Sequence, residues 1–174
     1  MTELSKRQIE EQDIDWYCLI QGKPTHIASS GGMIPKQFRD LEGLRLQQDK
    51  VAIMAPVAEA TLNIENIRSQ IQEGYAYLQD EMIRRAIVEA NSNNPGFVYL
   101  RDYDLPIRLF ASSFVEKARR GFRSYIRREG AEGHDEYILI AEPDQPFRFE
   151  GKQFGLKELN CEMTGEDGFV IVIE

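Results

Sequence analysis

The stretch THIASSGGMIPKQF, residues 25–38, gathers a histidine, two serines, paired glycines and a lysine. A strand that ends in a glycine turn and leads into a helix can hold an anion, because backbone N–H groups point outward there and the helix dipole adds partial positive charge. Gly31 and Gly32 would let the backbone approach a phosphate or carboxylate, and Lys36 would add a cation. Neither G-x-G-x-x-G nor G-x-x-x-x-G-K-[ST] is present, and Pro35 withholds one N–H that such a cradle would use. The competing account is a plain corner, where glycine supplies the positive φ that a reversing strand needs. His26 also has two readings. A strand histidine is ordinarily a hydrogen-bonded core residue; as a general base it would need a carboxylate delivered by the fold.

The second concentration is cationic. From Arg108 to Arg128 seven basic residues (Arg108, Lys117, Arg119, Arg120, Arg123, Arg127, Arg128) oppose one acid, Glu116, so the segment carries +6 and the remainder −14 of a net −8. On one continuous helix Arg119, Arg123 and Arg127 fall at i, i+4 and i+8, a ridge with Arg120 beside it. Such a ridge could receive an acidic partner protein. It could neutralise the phosphates of a nucleic acid, with Phe122 and Tyr125 as stacking platforms. It could also pair with the chain's own acids. Phe122 lies on the apolar stripe of the same helix, which weighs against stacking.

The remaining chemistry-bearing residues carry plainer expectations. His134, in EGHDEY beside Asp135 and Glu136, is half of a metal site without a second strong ligand and reads as a loop residue. The pairs Asp13/Asp15 and Asp102/Asp104 could hold a divalent cation if other oxygens converged. Asp104 is equally placed to cap a helix, however, and Asp13 and Asp15 to precede a strand. Ser29 and Ser30 have no base next to them, and no nucleophile elbow, zinc helix, calcium loop or kinase signature occurs. Cys18 and Cys161 fit no metal or redox spacing and read as small hydrophobes in a reducing compartment. No cofactor or metal is expected.

The elements that would position these residues follow from periodicity. Ser5 and Gln8 have capping-box spacing, so the first dozen residues read as a short helix. IDWYCLI and THIAS around QGKP read as a hairpin, with Trp16, Cys18 and Ile20 on one face, Tyr17 and Leu19 on the other, and both faces covered. KVAIMAPV and FVYL read as strands. A helix is expected from Asn63, with Ile64, Ile67, Ile71, Leu78, Met82 and Ala86 on one stripe, Tyr75 near it, and NSNNPG as its stop. Gly74 is a possible break in that helix. A second helix, capped by Asp104 with Pro106 in its first turn, is expected to run from about Leu105 to Arg128, its stripe Phe110, Phe114, Ala118, Phe122 and Ile126, ending at Gly130 and Gly133. EYILIA, PFRF and FVIVI read as C-terminal strands, with EGKQ as a turn.

The expected architecture is α+β: an N-terminal hairpin and C-terminal antiparallel strands in a mixed or antiparallel sheet, packed against two longer central helices, over 1–174 as a single globular domain. No run of about 20 apolar residues and no secretory leader is present, so a cytoplasmic protein without a membrane partner is expected. The leading functional expectation is a non-catalytic interaction domain that docks an acidic partner through the helix at about 108–128. The alternative is an enzyme or small-ligand protein that takes a phosphorylated or carboxylated metabolite at Gly31 and Gly32. Nucleic-acid binding through the basic helix ranks third.

Overall fold

The computed structural model describes residues 2–74, 95–128, 134–145, 154–165 and 167–172. Over these residues, helices and a mixed sheet give an α+β fold. Helix α1, Lys6–Glu11, starts at the reciprocal capping box of Ser5 and Gln8. Strands β1, Asp15–Ile20, and β2, Lys23–Ala28, form the hairpin. Its loop is shorter than QGKP suggests. Only Gln21 and Gly22, both at positive φ, lie outside the ladder, and Lys23 already pairs with Ile20.

Three elements differ from expectation. Residues 41–52 are helix α2, Leu41–Ala52, which takes in the first three residues of KVAIMAPV, so that segment is not a strand. Asp40 caps it by accepting the Gly43 N–H at 3.3 Å, and Leu44 and Val51, seven apart, are its buried contacts. FVYL falls in α4, Pro95–Tyr99, and the turn after it: Pro95 opens the helix, and Phe97 and Leu100 are buried three residues apart. The basic helix stops early. Helix α5, Leu105–Arg119, has the expected Asp104 cap and early proline, then ends before Gly121, whose φ of +97° suits a helix terminus. Residues Arg123–Arg128 are strand β4, held between β2 and β5, His134–Pro143. The four-residue spacing of Phe122 and Ile126 therefore belongs to no helix, and pairing on both sides overrides it.

The other elements are β3, Ala60–Leu62; α3, Ile64–Gly74, which Asn63 caps; β6, Glu162–Met163; and β7, Gly168–Val172. The rest of the expected long helix (Tyr75, Leu78, Met82, Ala86), most of NSNNPG, the strand PFRF, the turn EGKQ, and Gly130 and Gly133 lie outside the described residues. The sheet runs β1-β2-β4-β5-β7-β6, with β3 on β5. The β2–β4 pair is parallel and the others antiparallel. The Leu19 N–H bonds to the Lys157 carbonyl, and Leu19's carbonyl accepts from Leu159, so the chain leading into β6 also borders β1.

One core contains Trp16, Cys18, Ile20, Ile27, Tyr125 and Phe169. On the other face, Ile107, Ala111, Phe114 and Ala118 of α5 meet Ala28, Ile138 and Ile140. Tyr17 points away from Trp16 and meets Phe122, ring centroids 5.2 Å apart. Among the described residues no helix is long and apolar enough to cross a membrane.

Candidate functional site

The paired glycines lie against an internal ion pair. Asp135, buried at the start of β5, accepts the Met33 N–H at 2.6 Å and the Arg127 Nε–H at 2.9 Å. A Cβ on Gly32 would stand 2.3 Å from Arg127 Cδ and 2.9 Å from the Asp135 carboxylate; one on Gly31, at φ +75°, would meet the Glu10 carbonyl at 2.8 Å. Two N–H groups of the turn bind the protein's own carboxylates, Ser30 to Asp13 and Met33 to Asp135, and that of Gly32 bonds to the Ser29 carbonyl. Lys36 is exposed on the single 3-10 turn that follows.

The arginines are likewise turned inward. Arg119 reaches Glu59 at 3.8 Å and lies 3.3 Å over the Tyr99 ring. Arg120 donates to the Met54 carbonyl, Arg123 to Glu142 and Arg127 to Asp135. The side chains of Arg119, Arg123 and Arg127 are 12, 17 and 29% exposed. With α5 ending at Arg119, these residues do not form one helical ridge, and they fasten α5 and β4 to their neighbours.

The fold does deliver a carboxylate to His26. In the hairpin ladder His26 stands opposite Tyr17, so Asp15 is its diagonal neighbour on the same face; on the other side His26 is paired with Ser124 of β4. The ring is buried between Tyr17 and Phe114, centroids 5.4 and 6.1 Å away. Its Nε2 is 2.9 Å from Asp15 Oδ1, and its Nδ1 makes a close hydrogen bond with Ser124 Oγ. Asp15 Oδ2 faces Lys117 Nζ at 3.8 Å. Burial pushes the Asp15 carboxyl up, but charge and hydrogen bonding from His26 and Lys117 outweigh it and hold it at about 2. An ionised carboxylate only accepts, so Nε2 carries the proton, and in the neutral ring Nδ1 accepts from the Ser124 hydroxyl. Burial, with the Asp15 charge adding to it, raises the Tyr17 phenol well above its usual range.

This chain of groups has one outward end. Ser124 is wholly buried, so no substrate reaches its hydroxyl, whereas the Asp15 side chain is 41% exposed. Asp15 opens into a cavity of about 540 Å³ between α1, α2 and α5, whose walls include Asp13, Arg45, Gln48, Ser113 and Lys117. Gln48 Nε2 donates to the Asp15 carbonyl at 2.8 Å, which ties α2 to the start of β1.

Sequence reasoning singled out His26 and counted Lys117 only within the basic segment; it did not reach Ser124 or the role of Asp15. A two-residue loop at Gln21-Gly22 fixes the register that brings Asp15 beside His26; the parallel pairing of Ser124 carries no local signal. His134 opens β5, and among the described residues no group of three or more His, Cys, Asp or Glu is arranged to hold a metal. Comparison with protein-family models, curated proteins and solved structures finds no match. Fold and site together define an α+β protein with a buried serine–histidine–carboxylate chain beneath a polar cleft.

Proposed function

We propose that the cleft over Asp15 binds a small zwitterionic ligand of the amino-acid class. The observation that supports this reading is the fixed, ionised Asp15 carboxylate, held from behind by buried His26 and flanked by Lys117. The wall carries both signs: Asp13 and Asp15 suit an ammonium group, and Lys117 and Arg45 suit a carboxylate. His26 does not meet the ligand; it positions the carboxylate that does. The anionic half of the ligand belongs with these two cations, not with Gly31, Gly32 and Lys36. Docking of an acidic protein or of nucleic acid loses its motivation, because the arginines behind it are engaged internally.

Calorimetric titration with free amino acids, and with carboxylated and phosphorylated compounds that lack an amine, tests this. At least one amino acid should bind, its deaminated analogue more weakly, and Asp15→Asn should reduce affinity about tenfold or more, the scale of one charge-assisted hydrogen bond. No binding across the panel, or binding indifferent to Asp15→Asn, would refute it.

A further inference from the structure

Asp15 and Lys117 adjoin on the wall of the cleft, and their spacing restricts the ligand that can meet both. Asp15 Oδ1 is taken by His26 Nε2 at 2.9 Å, which leaves Oδ2 as the oxygen to share. That oxygen lies 3.8 Å from Lys117 Nζ, near enough for charge attraction and too far for a direct hydrogen bond. Both groups have little freedom. Gln48 ties the Asp15 backbone to α2, and the Lys117 side chain is only 17% exposed. Arg45, the other cation of the wall, stands on a different element, as an exposed residue of α2.

A ligand whose ammonium meets Oδ2 and whose carboxylate meets Nζ closes a ring of four alternating charges, in which every neighbour attracts. The ring closes without strain when the ligand's own charges stand about as far apart as Oδ2 and Nζ do. In an α-amino acid both groups hang from one carbon, with the nitrogen about 2.5 Å from the carboxyl carbon and the carboxylate oxygens a little beyond. Each methylene inserted between them lengthens that span and adds a rotatable bond that must be frozen to fold the ligand back.

We infer that the cleft selects α-amino acids over zwitterions whose charges are further apart, and that Lys117, not Arg45, is the residue that makes the selection. The inference rests on the reading of the cleft as a zwitterion site. The remainder of the cavity, about 540 Å³ in all, takes the amino acid's side chain.

The full chain is titrated calorimetrically with the common α-amino acids, with β-alanine, 4-aminobutyrate and 6-aminohexanoate, and with diglycine. At least one α-amino acid should bind, about tenfold or more tightly than any of the longer zwitterions. Lys117→Gln should weaken that binding about tenfold and erase most of the preference. Lys117→Arg keeps the charge and should retain more of both, while Arg45→Gln should change the affinity by about twofold or less. Equal or tighter binding of a longer zwitterion, lost in Asp15→Asn, would overturn the inference and leave the zwitterion reading standing. A preference erased by Arg45→Gln and kept in Lys117→Gln would do the same. No binding by any of these compounds would overturn both.

Discussion

Asp15 is the residue at which burial, charge and access meet. Its carboxyl is held at about 2, below its ordinary value of 3.8, so folding is favoured by its ionisation. A carboxyl depressed on folding contributes stability that is fully present above the unfolded value and lost as pH falls toward the folded one. Wild type should therefore lose this contribution between about pH 4 and pH 2. Asp15→Asn should melt lower than wild type near neutrality, and the gap should close over that interval; parallel melting curves across it would contradict the account. At Gly32 the constraint is space, since an added Cβ must displace Arg127 or Asp135. Gly32→Ala should cost about 1–3 kcal/mol in urea denaturation, the usual range for overpacking.

Strand β4 shows how a charged segment becomes structural. Arg127→Glu would set a second carboxylate against buried Asp135 and should cost about 3–5 kcal/mol. Arg128→Glu, one residue on and exposed, should change stability by about 0.5 kcal/mol or less. Equal costs in urea denaturation would mean that the Asp135 pair is not what holds Arg127. Elements were legible in the sequence where a local signal acted alone. Ser5 with Gln8, Asn63, and Asp104 with Pro106 all cap as their types require. Elements were misread where neighbours decide. Leu44 and Val51 hide a helical period among polar residues, and Phe122 and Ile126 imitate one that Gly121 ends. Half of the candidate site was within reach by the same logic. The Gln21-Gly22 loop implies the Asp15–His26 diagonal, but Ser124 and Lys117 arrive through a crossover that no local pattern encodes.

Across the whole molecule, the uneven charge is a matter of where cations are needed. The +6 segment supplies α5 and β4 in the middle of the fold, and several of its arginines meet acids drawn from the −14 elsewhere. Of the cations in that segment, Lys117 is the one that the structure places on the wall of the Asp15 cleft. The proposed ligand site is on that basis the cleft and not an arginine surface. His26 lies directly behind the cleft, and the chain has only two histidines, so its ring nitrogens report on the site without ambiguity. The decisive measurement is the imidazole 1H–15N correlation spectrum during titration with the amino acid that binds best. The account predicts that His26 starts with its proton on Nε2, that its signals move with ligand occupancy, and that those of His134 stay fixed. In Asp15→Asn the His26 response should vanish. Saturation of the protein with His26 unmoved would contradict it.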